Sequence, residues 1–336
     1  MVDGAPRRSS AQRYEAGRAA TKRTMQTVTT WEALKERDRN IPLCLVIGAF
    51  DGIHSGHQRL IRDAVTRARG VQGEAWLLTF DPHPSRILRP DMAPPLLTST
   101  PHKLRLLQPF ELDGVIVHPF TGALSVLPPE TFLQQLCDAL PGLHTVIVGG
   151  NWRFGHRAQG DVALLKQLAK TYGFSVHVPD PVSWGDEPVS STRIRQAIEA
   201  GRLDDVEHML ARPFSMLGTV TTGKQYGREL GFPTANIRLQ EEARPPVGVY
   251  AVYGVFNGER HNGAAYLGIR PTAHGDHTHH VLEVHLFDVT IDLYGKEIEV
   301  FFVQHIRGDQ RFDDQEALKA QIARDVEQAR ALFAAQ

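Results

Sequence analysis

The sequence predicts two domains of different class: an α/β domain, then an antiparallel β-barrel or sandwich followed by a terminal helix. Between residues 42 and 187 short apolar runs alternate with helical periods, the pattern of a parallel sheet covered by helices on both faces. From Ser215 onward the rhythm changes to short alternating strands with turns such as Asn257-Gly258, which is how barrels and sandwiches read. At 336 residues the chain is long enough for two domains of roughly 100–200 residues each.

Composition excludes several function classes. Hydrophobic residues make up 42% and charged residues 22%, as in an ordinary soluble globular protein. A formal net charge of −1 gives no broad basic field, so neither nucleic acid nor membrane is expected as a partner. Cys44 and Cys137 are the only cysteines, both in apolar surroundings, so no disulfide scaffold is indicated. No apolar run reaches the ~20 residues that span a bilayer. The expected location is the cytoplasm; the oligomeric state is not legible.

Residues 1–26 carry Arg7, Arg8, Arg13, Arg18, Lys22 and Arg23 with little that could enter a core. They lack the apolar segment of a secretory signal and read as a disordered tail, with Met25 as an alternative start. The first domain is placed at 40–187. Its strands are Leu43–Ile47, Ala75–Phe80, Gly114–His118, Thr145–Val148 and Ser175–Val178, with helices over 56–69, 101–108, 129–139 and 161–172. Connecting helices occupy 188–212, with helical stretches over 192–200 and 203–210. The second domain, 213–336, has strands over 215–221, 247–256, 262–268, 280–288 and 297–303. Its last helix runs from Asp314 to Ala334, with Asp313 and Glu316 as a capping box and Leu318, Ile322, Val326 and Phe333 on one face.

Chemistry concentrates after the first strand, where the chain reads Val46-Ile-Gly-Ala-Phe-Asp-Gly-Ile-His-Ser-Gly-His57. Gly48 and Gly52 allow backbone to approach a ligand, and a helix begins near Gly56. A strand, a glycine turn and a helix N-terminus make an anion site, because unpaired N–H groups and the helix dipole point at it. His54 and His57 add donors that follow charge as it builds on a phosphate. Zinc is not indicated, since neither a His-Glu-x-x-His helix nor a cysteine pair accompanies them. No Gly-x-x-x-x-Gly-Lys-Ser/Thr loop occurs, so a Walker-type ATPase is unsupported.

The string Gly48-x-Phe50-Asp51-Gly52-x-His54-x-Gly56-His57 resembles the signature of the HxGH nucleotidyltransferases, which implies a Rossmann-like fold and binding of nucleotide phosphates. Two further motifs sharpen the resemblance to the bacterial bifunctional riboflavin kinase/FAD synthetases. Thr79-Phe80-Asp81-Pro82-His83-Pro84 resembles the segment lining the family's isoalloxazine pocket; a rigid, proline-held aromatic surface suits a flat apolar ring. Val148–Gly155 resembles Val-Gly-x-Asp-Phe-x-Phe-Gly, which implies flavin contacts from Asn151 and Phe154. Asn151 stands where Asp is more usual, so it either helps hold a metal or orients flavin or phosphate, and Trp152 stands in place of Phe. Ser190-Ser191-Thr192-Arg193 resembles the family's triphosphate-binding helix start. Ser191, Thr192 and Arg193 are thereby implied in catalysis, with Arg193 preferred to Arg195 as the cation for the leaving pyrophosphate.

The second domain resembles the riboflavin kinase module. Gly218, Val220 and Gly223 precede Gly227-Arg228, and all five are implied in nucleotide binding. Gly231-Phe-Pro-Thr-Ala-Asn236 is intact, and the resemblance makes Thr234 and Asn236 the Mg²⁺ ligands; neutral hard oxygens suit that ion. Lys224-Gln225-Tyr226 depart from the small residues usual in the glycine-rich flap. Glu283 matches the catalytic base, alternating with Leu282 and Val284 along its strand, while Arg270 and Arg307 lie in matching flavin-contact segments. The cluster His274, His277, His279 and His280 lacks regular ligand spacing and reads as an exposed loop. The resemblance implies phosphorylation of riboflavin to FMN and adenylylation of FMN to FAD, with ATP and Mg²⁺ required. Two alternatives stay open on the residues: kinase activity alone, should Asn151 and Trp152 disable the first domain, and a flavin-binding regulator without turnover.

Overall fold

Apolar runs too short for helices form the centre of a six-stranded parallel sheet. The computed structural model describes residues 24–222, 227, 230–240, 242–271, 278–289 and 293–335. These fall into two units, one within Met1–Pro95 and Lys103–Ser191, the other within Leu96–His102 and Thr192–Gln336.

The first unit holds strands β1 (Gln26–Val28), β2 (Leu43–Ile47), β3 (Glu74–Asp81), β4 (Gly114–Pro119), β5 (Leu143–Ile147) and β6 (Ser175–His177) in the order β1-β4-β3-β2-β5-β6. All pairings are parallel. Helices α1 (Ser55–Gly70), α2 (Pro84–Leu88), α3 (Thr100–Leu107, shared across the unit boundary), α4 (Pro129–Ala139) and α5 (Val162–Tyr172) connect them. Every residue of β2 is buried, which explains its unbroken apolar run. Leu43, Leu45 and Ile47 enter a core with Phe132 and Leu136, whereas Cys44 and Val46 enter another with Ile61 and Ala64. The chain moves outward from β2 through β3 to β4 and then returns to β2's other side with β5. Strand order therefore reverses beside β2, and α/β sheets bind ligands at the carboxyl ends of strands at such a switch point.

The expected tail over 1–26 ends earlier than predicted. Met25 is 8% exposed within a core cluster, and Gln26 pairs with Gly114 as β1 begins. A three-residue edge strand is too short to print a periodic pattern. Residues 1–23 lie outside the described residues. A two-residue hairpin, β7 (Ser183–Trp184) and β8 (Glu187–Pro188), escaped prediction for the same reason.

The second unit begins with α6 (Ser191–Glu199, its first residue in the first unit) and α7 (Leu203–Leu210) and then closes a six-stranded antiparallel barrel. Its strands are β9 (Phe214–Thr221), β10 (Ala235–Arg238), β11 (Gly248–Phe256), β12 (Glu259–Pro271), β13 (Thr278–Leu286) and β14 (Glu297–Gly308), ordered β10-β13-β12-β11-β14-β9. Closure, not a sandwich, removes every free edge. Sequence analysis missed β10, a four-residue strand directly after the Pro-Thr turn. The terminal helix α8 (Gln315–Ala334) covers β11 and β12, where Ala251 and Ala264 meet Ala329. Its cap is Asp314, whose Oδ1 accepts from Ala317 N at 2.7 Å. The box expected from Asp313 is therefore displaced by one residue, because Asp314 has the extended backbone a cap requires.

Leu96–His102 lies inside the first domain's sequence yet belongs to the barrel unit. Ala243 N donates to Leu96 O at 2.7 Å, and Ser99 N donates to buried Glu242 Oε1 at 2.7 Å. Deeper in, Glu299 Oε1 meets His102 Nε2 at 3.0 Å and accepts from Ser215 Oγ at 3.0 Å, with the His102 and Glu299 side chains at 0% exposure. Removing one partner of such a pair strands a charge. His102→Ala should lower the unfolding free energy by about 3 kcal/mol in a urea melt of the full chain. Adding Glu299→Gln should recover part of that loss by removing the stranded carboxylate.

Candidate active sites

At the carboxyl end of β2 the backbone turns sharply. Phe50 (φ +50°), Gly52 (φ +85°) and Ile53 (φ +42°) all adopt left-handed conformations, which non-glycine residues hold only where their surroundings impose it. Phe50 is fully buried, and a Cβ at 48 would come within 3.2 Å of its ring, a tight contact that Gly48 avoids. Successive residues of this kind gather N–H groups into an anion-binding concavity.

The turn delivers two histidines to the start of α1. His54 is the N-cap, its Nδ1 accepting from His57 N at 3.3 Å. The rings stack at 3.6 Å between centroids, with Phe50 edge-on to His57 at 5.1 Å. A Cβ on Gly56 would stand 3.1 Å from the His54 ring, a crowded contact that glycine avoids. His57 Nδ1 and Ser55 Oγ are buried without hydrogen-bond partners, the condition of groups arranged for a ligand. Burial holds His57 well below the ordinary imidazole range, reinforced by the neighbouring charges of His54 and Lys103.

Ser191 Oγ donates to the carbonyl of buried Asp51 at 3.0 Å, tying the start of α6 to this turn. Ser190 is half-buried just before it. Thr192 and Arg193 follow in α6 beyond the unit boundary. Arg195 is buried at 9% exposure and Arg193 only half-buried.

Of the residues matched to a flavin pocket, Phe80 ends β3 edge-on to Phe120, with ring centroids 5.5 Å apart. Pro82 follows through a cis peptide bond, His83 caps α2 by accepting from Ser85 N at 3.2 Å, and Pro84 is that helix's first residue. Asn151 is exposed, whereas Phe154 is a core residue at 6% exposure. Trp152 stacks on Phe154 at 4.7 Å and is the more accessible of the two rings.

The barrel unit carries a cavity of about 370 Å³ lined by Gly227, Thr234, Asn236, Glu283, His285 and Arg307, among others. The strand register builds it: Asn236 of β10 lies opposite Glu283 of β13, and Tyr266 of β12 lies on Glu283's other flank. Opposed residues of antiparallel strands share a face within about 5.5 Å. His285, two residues on, bonds Pro233 O at 2.8 Å through Nδ1. A Cβ on Gly227 would strike Phe232 O at 2.5 Å and approach Thr234 Oγ1 at 3.1 Å, so only glycine fits this wall. The other wall is apolar, from Phe312, Leu318, Ile322 and Val326. Arg307 reaches buried Asp325 of α8 through Nε and Nη2 at 2.9–3.1 Å, fixing that helix against β14.

Residues 36–193 match the FAD synthetase family, and residues 210–333 match the riboflavin kinase family. The bifunctional riboflavin kinase/FMN adenylyltransferase of Escherichia coli (strain K12) is 38% identical over 290 residues, covering 86% of this chain and 92% of that protein. The Haemophilus influenzae protein of the same name is 36% identical over 290 residues, with 86% and 94% covered. This chain belongs to the bifunctional riboflavin kinase/FMN adenylyltransferase family. A crystal structure from Streptococcus pneumoniae, of a protein named as a macrolide-efflux protein, also matches with a TM-score of 0.78 at 27% identity. That match covers 91% of this chain and 98% of that one. Among the described residues no helix is long and apolar enough to cross a membrane.

Several of the assigned residues lie outside the barrel cavity or outside the described residues. Gly218 and Val220 are buried and do not line the cavity. A Cβ on Gly218 would stand 2.4 Å from Ile237 Cγ2 and 2.6 Å from Arg238 O, so strand packing requires glycine there. Arg270 lies on β12 with its side chain outside the described residues. Gly223, Arg228, Lys224-Gln225-Tyr226, His274 and His277 are also outside them, as is the side chain of His279. Sequence analysis missed Asp325, hidden on a face read as apolar, and Lys103, whose buried ammonium lies under the turn of the first unit.

Burial likewise depresses His118, stacked on Trp31 at 3.7 Å. Neutral in the fold, His57 and His118 gain protons near pH 6.5 once unfolded. Their contribution to the first unit's stability is therefore fully present above about pH 6.5 and is lost as pH falls below it. Thermal melts from about pH 7.5 to about pH 5 should show this decline, and His57→Gln should flatten it.

Proposed function

We propose that the barrel unit phosphorylates riboflavin to FMN with ATP and that the sheet unit adenylylates FMN to FAD, releasing pyrophosphate. The juxtaposition of Glu283 with Asn236 in a cavity having one polar and one apolar wall carries the kinase reading. The isoalloxazine ring packs on the apolar side, which leaves the ribityl 5′-hydroxyl for the polar end. Glu283 accepts that hydroxyl's proton as the oxygen attacks the γ-phosphorus and ADP leaves. Thr234 and Asn236 fit Mg²⁺ as neutral hard-oxygen donors, and Gly227 keeps the space beside Thr234 clear. When bound, the ion supplies positive charge against the phosphates.

In the sheet unit an FMN phosphate oxygen attacks the α-phosphorus of ATP directly. The turn Gly48–His54 and the unpartnered groups of Ser55 and His57 support binding of the nucleotide phosphates there. Negative charge arriving beside neutral His57 favours its protonation, so the ring answers charge as it develops. Ser190, Ser191, Thr192 and Arg193 take the pyrophosphate end. The partial burial of Arg193 leaves it better suited to that end than buried Arg195. Phe80 and the Pro82–Pro84 segment take the flavin, and Trp152 retains an aromatic face where Phe is usual. That retained stack favours two reactions over kinase activity alone. A cytoplasmic location accords with this small-molecule chemistry.

Chromatography of products from riboflavin, ATP and Mg²⁺ tests the whole reading: FMN and FAD together support it, and FMN alone supports a kinase only. Glu283→Gln should slow FMN formation by roughly 10²–10⁴ and leave FAD formation from supplied FMN near the parent rate. Conversely, His57→Ala should slow FAD formation by roughly 10²–10³ and spare FMN formation. Preserved kinase activity in Glu283→Gln would remove that residue from the mechanism.

A further inference from the structure

We infer that Lys103 is a positioning residue of the adenylyl-transfer site, holding the Gly48–His54 turn in its ligand-facing conformation through the Ala49 carbonyl. The inference rests on the proposed reading of that turn as the phosphate site. Lys103 is 3% exposed, and its Nζ donates to Ala49 O at 2.7 Å and to Thr79 Oγ1 at 3.1 Å. Thr79 Oγ1 itself donates to Ala49 O at 3.0 Å, so three groups from β3, α3 and the turn close a triangle. A peptide whose carbonyl faces a buried cation presents its N–H on the opposite side, and here that N–H belongs to Phe50. The strained backbone at Phe50 and Ile53 needs such an anchor, since non-glycine residues hold positive φ only where the surroundings impose it.

The charge serves a second purpose. Asp51 and Asp81 act on Lys103 and favour its charged form, while burial opposes it and brings its pKa down to about 8. Lys103 in turn acts on His57, together with burial and His54, to keep that ring neutral. The same ammonium thus shapes the turn and sets the protonation state of a ring beside it.

Lys103→Met in the full chain is the test, because it preserves the length of the stem and leaves the Thr79–Ala49 bond. FAD formation from FMN should fall by roughly 10–10²-fold, the scale of a misplaced reacting group, with FMN formation unchanged. The parent's FAD formation should decline above about pH 8 as Lys103 loses its proton, and this alkaline limb should vanish in the variant. His57, followed by its imidazole proton resonance, should titrate at higher pH in Lys103→Met. Parent-like FAD rates and an unchanged pH profile in the folded variant overturn the role of Lys103. Should the variant lack the first unit's thermal transition, the parent decides: an alkaline limb in FAD but not FMN formation supports the inference, and its absence overturns it. Loss in His57→Ala with none in Lys103→Met defeats the lysine alone; no loss in either defeats the turn as a phosphate site as well.

Discussion

A charge taken out of water must meet an opposite charge or several donors, and in both units that condition decides where distant segments lie. Asp325 is 4% exposed and holds Arg307 by two nitrogens at 2.9–3.1 Å, so α8 cannot slide along β14 without breaking a charged pair. The apolar cavity wall contributed by α8 is placed by this ion pair as much as by its own packing. Glu299 draws in His102 across 197 positions of sequence, which explains why a stretch within the first domain's sequence belongs to the barrel unit. Lys103, the next residue, applies the same rule with the sign reversed: a buried ammonium gathers a carbonyl and a hydroxyl beneath the turn after β2.

On the proposed reading the two units handle triphosphate by different physical means. The barrel cavity offers a hydroxyl, an amide and a carboxylate beside an Arg307 whose guanidinium is already paired with Asp325, so a polyanion there calls for a divalent cation. The sheet unit offers backbone N–H groups at a helix start, a neutral His57 and the buried ammonium of Lys103, a field already biased toward anions. These fields suit different steps. Attack on a γ-phosphorus leaves the nucleotide behind as ADP, whereas attack on the α-phosphorus expels pyrophosphate, whose charge must be met where it departs.

Much of this was legible in the sequence because the features were continuous. The β2 run, the glycine turn and the two histidines occupy fifteen consecutive positions, Leu43 to His57, and fold as one local unit. Barrel strands of eight or more residues were found by alternation, whereas Glu283 was singled out by resemblance to the kinase module, alternation only placing it on a strand face. Four of the shortest strands, β1, β7, β8 and β10, were lost because they are too short for any period to emerge, although three-residue β6 was found. Residues whose meaning depends on a distant partner were lost as well. Nothing local in the sequence marks Lys103 until Ala49 and Thr79 are seen beside it, and Asp325 is lost within a face read as apolar until Arg307 is seen. Gly218 was assigned to nucleotide because it lies in a matching motif, yet the side chain of Ile237 leaves no space for a Cβ there.

The stacked histidines add a constraint that neither ring would impose alone. Two imidazolium charges with centroids 3.6 Å apart repel strongly in a site partly closed to water. His54 Nδ1 already accepts from His57 N, so that nitrogen is occupied while the cap is intact. A proton gained at the pair is therefore directed to His57, whose Nδ1 has no partner in the structure. Lys103 raises the cost of that proton until an anion arrives to offset it. On the proposed reading His57, so constrained, holds little charge of its own when the site is empty and acquires it beside phosphate, which is the order of events that transition-state stabilisation requires.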